Sequence, residues 1–512
     1  MRSPEKNKWM EVAQTEINGL ESKHTWKEVP MSAAKSKIIP GTWVFRVKRS
    51  PSGKIRKFKA RFCVRGDLEE DNGEDNYASV VAWSTVRLFL VLCFILGWTT
   101  GSIDFTNAFV KSILDSPIWI HIPRGFTSAL GPGTCLELGR SLYGLRRSPK
   151  LFYDTAIDAF LKLGFVQSKF DPCLLYKPGM LIVMYVDDCG IGAADPKGID
   201  RLVASLRNMG FELTQEGDFS EFLGIKMTKL PDGTIEMNQT GLINKIIKAT
   251  DMEDCNPNYL PATGPLGSDP DGSPMEEKWS YRSIVGMLLY LSTNTRPDIA
   301  FAVSQIARFS AQPKQSHATA VKTLIRYLKR TSEKGMILKP TGTLDLELYV
   351  DADFCGLFKH EPDTDPNSAR SRTGFIVMLS GFPLIWKSQL QASLACSTLE
   401  AEYTALSYAL KALIPLKRML LECAEHLSLP SEITSTIRAR VFEDNQGAYL
   451  LATNQRITNR TRYFLNKYHW FWDVSGEFHM EKIDSKNQRA NYCTKVLTRE
   501  PFEHNRFLVQ GW

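Results

Sequence analysis

Residues 180–193 read MLIVMYVDDCGIGA. Seven apolar residues, Met180–Val186, run straight into Asp187 and Asp188, and a shorter apolar run with two glycines follows. A continuous apolar run containing β-branched residues reads as a buried strand, and the break after it as a tight hairpin. That geometry holds two carboxylates side by side at the end of a rigid strand pair. Adjacent carboxylates repel unless cations neutralise them, and hard Mg²⁺ prefers carboxylate oxygens. A surface turn that happens to hold two aspartates is the plain alternative, and the hydrophobic strand leading into it argues against that.

The 512 residues suffice for roughly three or four domains. Hydrophobic content of 43% and charged content of 23% are ordinary for a globular chain and exclude a disordered or fibrous class. The net charge of +7 is modest, so its distribution matters more than its total. Ten cysteines without a C-x-x-C pair, and no signal peptide, predict reduced thiols in an intracellular protein. The longest hydrophobic run, Leu88–Leu96, starts just after Arg87 and is too short for a bilayer, so no membrane span is expected.

Upstream, Trp9–Leu20 reads as helical. Residues 43–66, WVFRVKRSPSGKIRKFKARFCVRG, alternate on either side of Ser50–Gly53 and spell a β-hairpin. Nine of these 24 residues are Lys or Arg and none is acidic, which suits a phosphate backbone or a triphosphate better than a merely solvated ribbon. Residues 66–78 are acidic and loop-like, and Ser84 is placed to cap an apolar helix ending near Gly97. In 102–122, SIDFTNAFVKSILDSPIWIHI, Asp104 follows a short apolar entry. A lone Asp there would ordinarily cap a helix, and it gains interest only if the fold brings it to Asp187 and Asp188.

Residues 141–165, SLYGLRRSPKLFYDTAIDAFLKLGF, read as a loop and then a helix capped by Ser148, opened by Pro149 and closed by Gly164. Arg146 and Arg147 precede its positive end, a natural seat for a phosphate or template backbone. Phe222–Ile225 begins a further strand pair that turns at Asp232-Gly233. Residues 256–278 hold five prolines and three glycines and read as a linker. Tyr281–Lys329 is helical with breaks at Arg296-Pro297 and Gln312-Pro313.

From about Leu344 the rhythm becomes α/β. A strand, Leu346–Val350, runs into Asp351, and further strands fall at Thr373–Leu379 and Leu384–Trp386. A helix from about Leu399 carries Glu402, and a strand at Ala439–Phe442 delivers Asp444. Each acid alone is an ordinary surface residue. Three at the ends of core elements together suit a second carboxylate cluster binding two metal ions.

The pieces WVFRVKR…KARFCVRG, SIDFTNAFV, SLYGLRRSP, LGF…DPCLLY, LIVMYVDD, FLGIKM, YRSIVGMLLYL…TRPDIAFAVS, YVDADFCG, RSRTGF, STLEAEYTALS and EDNQGA occur in that order. The chain so resembles, nearly end to end, the reverse transcriptase–RNase H region of a copia-type LTR retrotransposon polyprotein. The resemblance implies an α+β fold: a right-hand polymerase with fingers (1–100, with a helical N-terminal region), palm (101–230) and thumb or connection (231–340, including the linker), then an RNase H-like α/β domain (341–512). It implies that Asp104, Asp187 and Asp188 are the palm's metal-binding carboxylates, serving two Mg²⁺ ions about 3.5–4 Å apart, with Mn²⁺ as a substitute. Phe109 resembles the aromatic gate against a ribose 2′-hydroxyl, although packing in an apolar core would also explain it. Lys59 and Arg61 resemble fingers residues that touch the triphosphate. Gly144, Ser148 and Pro149 resemble the loop lining the nucleotide and template pocket, and Phe222–Ile225 the primer grip.

In the last domain Asp351, Glu402 and Asp444 resemble three RNase H metal ligands, Glu402 fitting better than Glu400. The fourth position departs: Asn491 stands where an aspartate is expected. An amide still offers one oxygen, but the cluster loses a charge, which should weaken the second metal. RTRYFLNKYH at 460–469 also departs from the usual R-T-K-H-I-D-I-R-Y-H. The sequence therefore supports RNase H activity less firmly than polymerase activity.

The implied partners are an RNA template, a DNA primer, their hybrid and dNTPs. No zinc knuckle, H-H-C-C module, integrase or aspartic-protease signature occurs, which leaves three alternatives open: a truncated element, a gene model cut from a longer frame, or a processed product. An intracellular site, cytoplasmic or nuclear, follows only by analogy. The competing readings are a non-catalytic nucleic-acid-binding remnant, favoured by Asn491 together with the missing upstream modules, and a decayed frame; three intact palm carboxylates argue against both.

Overall fold

The apolar run at 180–186 lies at the heart of a six-stranded antiparallel sheet. The computed structural model describes residues 5–49, 55–70, 73, 75–217, 219–459 and 461–512. In this sheet the order is Leu213–Gly217, Thr99–Phe105, Asp188–Ala193, Met180–Tyr185, Leu174–Lys177, Val166–Gln167. Both faces are covered, which is why the central strand is apolar throughout instead of alternating. Met180, Ile182 and Met184 face the helices Ser148–Lys162 and Lys197–Asn208, while Leu181 and Val183 face the helix Trp83–Ile95. That last helix presses close to the sheet. A Cβ on Gly192 would meet the Cys93 sulfur at 2.3 Å, so only glycine fits there.

Trp83–Ile95 falls inside the range expected for the fingers, yet it packs beneath the palm sheet. The strand Trp26–Pro30 pairs with Thr134–Arg140, which pairs with Ile113–His121, so a sheet crosses the expected boundary at residue 100. The basic hairpin pairs Gly41–Arg49 with Ile55–Val64, and its turn at Ser50–Gly53 lies outside the described residues. The helix Lys6–Ser22 packs on it through Trp9, whose ring meets Phe45 and Phe58. Residues 66–70, 73 and 75–78 hold one short 3-10 turn, Gly66–Leu68; residues 71, 72 and 74 lie outside the described set.

Two expected caps are corrected. Ser84 lies inside its helix, whose first residue is Trp83. Asp171 caps the turn instead, its Oδ2 accepting the Ala82 N–H at 3.0 Å and the Thr85 hydroxyl at 2.6 Å. A carboxylate from a distant loop satisfies those groups as well as a local serine would, and local sequence cannot reveal it. Ser148 is likewise the first helical residue, which puts Pro149 second, and no side chain caps that helix. The buried Ser148 hydroxyl donates to the Leu142 carbonyl and pairs with Ser141, each at 2.6 Å, so it fastens the preceding loop.

A four-stranded sheet, ordered Glu221–Phe222, Ile225–Lys229, Ile235–Asn238, Met336–Leu338, ties the turn at Leu223-Gly224 to the far end of the helical region. The helices Tyr281–Asn294, Ala300–Ala307 and Gln315–Arg330 are separated at the two prolines, as their missing N–H groups require. Residues 256–278 form no helix or strand, but they lie strapped to these helices. The Leu266 N–H donates to Gln305 at 2.8 Å, the Ser268 N–H to Glu361 at 2.8 Å, and His317 bonds the Gly267 carbonyl at 2.9 Å.

The C-terminal sheet is mixed, in the order Phe382–Leu390, Arg372–Leu379, Asp345–Asp353, Arg438–Glu443, His479–Lys482. Its first three strands are antiparallel and the last two add in parallel. The helix Thr398–His426 packs across it, started by Ser397 as N-cap: its hydroxyl accepts the Glu400 N–H, and Glu400 in turn accepts the N–H of Cys396, the residue before the cap. No helix among the described residues is long and apolar enough to cross a membrane.

Candidate active site and a second carboxylate cluster

Strand register brings the first group together. Asp188 pairs with Tyr185 across the hairpin and with Asp104 on the other side. Val186 and Asp187 are therefore a two-residue turn, and the Phe105 N–H donates to the Asp187 carbonyl at 2.9 Å, pinning the turn to the neighbouring strand. Val186 carries φ +56°, a conformation a β-branched side chain rarely adopts. Strain of about 1–3 kcal/mol held at one turn is typical of functional sites. Asp104 is thus a strand residue and not a helix cap. All three aspartates are half-buried.

Tyr143 sits over this group and was not singled out by its sequence, although it lies within SLYGLRRSP. The Arg61 guanidinium stands 4.6 Å from its ring centre, and Phe109 meets it edge-on at 5.0 Å. Burial, opposed by Arg61 and reinforced by Asp187, Glu16 and Asp104, pushes its phenol up to about 12. Tyr143 thus joins the hairpin, the aromatic candidate gate and the carboxylates. Lys59 lies opposite Arg46 in the hairpin register. Burial raises the Glu16 carboxyl, while Arg61 and Lys59 work against that rise, so the helix Lys6–Ser22 faces both candidate triphosphate contacts.

Gly144 locks the loop to the hairpin. Its φ is +92°, and a Cβ there would lie 2.1 Å from the Val64 carbonyl oxygen. The Val64 N–H donates to the Tyr143 carbonyl at 2.7 Å across the same contact. Arg147 pairs with Asp115 at 2.6 Å, and Arg146 donates to the Gly66 carbonyl at 2.8 Å, so both arginines also brace this loop. Leu223 and Gly224, with φ of +51° and +75°, form a tight turn whose Leu223 carbonyl accepts the Tyr290 hydroxyl at 2.6 Å.

The second group converges more closely. One oxygen each from Asp351, Glu402 and Asp444 lies within 4.8 Å of the others, and no other such acid, His or Cys group occurs among the described residues. The palm aspartates, adjacent by register, do not meet that distance. Tyr349 and Phe442 are paired in parallel strands with their rings stacked at 4.7 Å, and two residues beyond them stand Asp351 and, just past its strand's end, Asp444. Asp351 accepts the Thr494 hydroxyl and has Lys495 at 3.5 Å; burial raises its carboxyl, Lys495 and Thr494 resist, and Asp444 adds to the rise. Burial raises Glu402 well above the usual carboxylate range, reinforced by Glu443, Asp351 and Asp444.

Asn491 opens the short helix Asn491–Thr494 that carries Thr494 to Asp351. Its Nδ2 donates to the Ser485 carbonyl at 2.7 Å, and the Ser485 hydroxyl donates to Asp444 at 2.6 Å. The Asn491 Oδ1 and Glu402 Oε2 atoms are buried without a hydrogen-bond partner. Unpartnered oxygens beside clustered carboxylates fit a hard divalent cation, whose oxygen-only preference this donor set matches. The palm's all-carboxylate set fits the same class of ion.

A hairpin presenting carboxylates to a basic ribbon, followed by a mixed sheet with its own acid cluster, defines a nucleic-acid polymerase architecture joined to an RNase H-like domain. Residues 23–264 match the family described as reverse transcriptase (RNA-dependent DNA polymerase). The retrovirus-related Pol polyprotein from transposon TNT 1-94 of Nicotiana tabacum is 30% identical over 99% of this chain and 38% of its own length. That from transposon RE1 of Arabidopsis thaliana is 28% identical over 97% of this chain and 33% of its own length. A foamy viral protease-reverse transcriptase solved with double-stranded DNA aligns over 93% of this chain and 69% of its own, at 12% identity and a TM-score of 0.47. Residues 23–264 thus carry a reverse transcriptase domain, and the chain as a whole is similar to retrotransposon Pol polyproteins, spanning about a third of the length of those curated relatives.

Proposed function

We propose that this chain is an RNA-directed DNA polymerase that copies an RNA template from a DNA primer with dNTPs. The observation that carries the reading is the register setting Asp104 opposite Asp188, with Asp187 in the turn beneath Tyr143. Asp104, Asp187 and Asp188 would hold Mg²⁺, two ions in the general scheme, and Mn²⁺ would substitute. Bound there, the metal supplies activation of the primer 3′-hydroxyl and charge neutralisation at the leaving pyrophosphate. The protein's own share is positioning. Lys59 and Arg61 meet the triphosphate, Phe109 stacks under the incoming sugar, and Gly144, Ser148 and Pro149 shape the pocket wall. The division into fingers (1–100), palm (101–230), thumb or connection (231–340) and RNase H-like domain (341–512) belongs to the same proposal, with the strand Trp26–Pro30 and the helix Trp83–Ile95 packed on elements beyond residue 100.

In the last domain Asp351, Glu402 and Asp444, with the Asn491 amide oxygen, would hold the metal for cleavage of the RNA–DNA hybrid. One carboxylate fewer than the family pattern is expected to weaken the second ion and slow cleavage. The second reading, a nucleic-acid-binding remnant, draws on Asn491 alone. Single-nucleotide incorporation on an RNA template separates the two. We expect Mg²⁺-dependent addition that disappears in Asp187→Asn, Asp188→Asn while template binding persists. Binding without addition by the unaltered chain would favour the remnant.

A further inference from the structure

The residue before Asp444 is also an acid, and neither the strand pattern nor the resemblance gives it a role. Glu443 ends the strand Arg438–Glu443 and is fully buried. Its Oε1 accepts the Asn445 N–H at 2.9 Å, and its Oε2 is buried without a partner. Side chains alternate along a strand. Glu443 therefore shares the face of Val441, against the long helix that bears Glu402, while Asp444 points with Phe442. After burial itself, Glu443 is the strongest influence raising the Glu402 carboxyl, ahead of Asp351 and Asp444. Among the described residues, neither Glu402 nor Glu443 forms an ion pair, although burial raises the Glu443 carboxyl and Lys482, which donates to the Asp444 carbonyl, pulls it down against that rise.

Two buried carboxylates, each with an idle oxygen, are costly unless a cation lies within reach. At the same centre Asn491 offers a neutral, unpartnered oxygen where a charged one is expected. We propose that Glu443 is a fourth carboxylate of the Asp351–Glu402–Asp444 centre, standing behind Glu402 and returning the negative charge that Asn491 withholds, so that the centre binds a divalent cation such as Mg²⁺ or Mn²⁺ at the family's full charge. Glu443 lies outside the converging trio, so it is a positioning residue. It acts through Glu402 and the field at the ion, as outer partners of metal ligands do.

The proposal rests on reading this trio as a cation site and is independent of the polymerase reading. The test uses the full chain carrying Asp187→Asn and Asp188→Asn, with Mn²⁺ alone as the probe and free Mn²⁺ followed by electron paramagnetic resonance. We expect a Mn²⁺ site in this background, weakened about tenfold or more by Glu443→Gln and restored to within about threefold of the parent when Asn491→Asp is added. Asn491→Asp alone, a change that leaves Glu443 in place, should tighten binding by less than about threefold, because four carboxylates are already present. This arm decides the matter should Glu443→Gln not fold. No Mn²⁺ site in the parent, unchanged affinity in Glu443→Gln, no rescue by Asn491→Asp, or a tenfold gain from Asn491→Asp alone would each overturn the proposal. In those cases Glu443 only closes the turn at Asn445.

Discussion

Tyr143 makes the sharpest residue-scale claim, because three elements meet on one ring. Tyr143→Phe keeps the faces that Arg61 and Phe109 use, and the KM for dNTP should stay within about twofold. Tyr143→Leu removes an Arg–aromatic contact of roughly 0.5–2 kcal/mol. It should raise that KM about fivefold with a smaller effect on kcat, measured by steady-state incorporation; an equal KM in the two variants would contradict the assignment. Gly144→Ala forces a Cβ into the Val64 carbonyl at a left-handed position. The cost should be roughly 2–4 kcal/mol, read as a lower Tm and faster proteolysis of the basic hairpin. At this scale much was legible in the sequence. Asp187 and Asp188 announce themselves by the apolar run ahead of them, whereas Asp104 gains meaning only through pairing, which no local pattern encodes. Glu443 stayed hidden because its neighbour Asp444 offers the more obvious carboxylate.

Among elements, the strap at 256–278 departs most from its sequence. Proline and glycine mark it as a linker, but its fixation depends on residues far along the chain, such as Gln305, Glu361 and His317. His317 is stacked on Phe309 at 3.9 Å, its Nδ1 accepting the Lys314 N–H and its Nε2 facing the Gly267 carbonyl. That pairing is satisfied by the neutral ring. Burial depresses its proton affinity, assisted by Arg308 and opposed by the Gly267 bond, Asp269 and Glu361. The unfolded chain therefore takes up the proton first as pH falls, so this contribution is present above about pH 6.5 and is lost below it. Tm should drop between pH 7 and pH 5, and the slope should flatten in His317→Gln. An unchanged slope in that variant would remove His317 as the cause. The misplaced caps have the same physical origin: Asp171 satisfies groups that sequence assigns to Ser84, and the Leu142 carbonyl engages the hydroxyl of Ser148, the other expected cap.

At the scale of the whole molecule, Arg87 joins the two halves. It lies buried on the helix beneath the palm sheet and donates to the Leu384 carbonyl at 2.7 Å and the Asn294 carbonyl at 2.9 Å, as well as to the Thr293 carbonyl. Its guanidinium covers Trp386 at 4.1 Å. Arg87→Met would leave three carbonyls without that donor, at about 1–3 kcal/mol for each that stays unsatisfied. Calorimetry should show a lower Tm and the polymerase and C-terminal regions unfolding in separate transitions; one unshifted transition would show that the junction does not depend on Arg87. In sequence this arginine is only the charge before the apolar run Leu88–Leu96. The overall plan was legible through the order of many short motifs, while the contacts between regions were not, since they join residues hundreds of positions apart.

The central claim is that Asp104, Asp187 and Asp188 form a nucleotidyl-transfer centre for copying RNA. The most direct measurement extends a labelled DNA primer on a separately labelled RNA template with Mg²⁺ and dNTPs, with Asp187→Asn, Asp188→Asn in parallel. We expect primer extension that is lost in the variant, with the template cut slowly or not at all. A folded, template-binding chain that never extends the primer, or extension that survives in the variant, would contradict it.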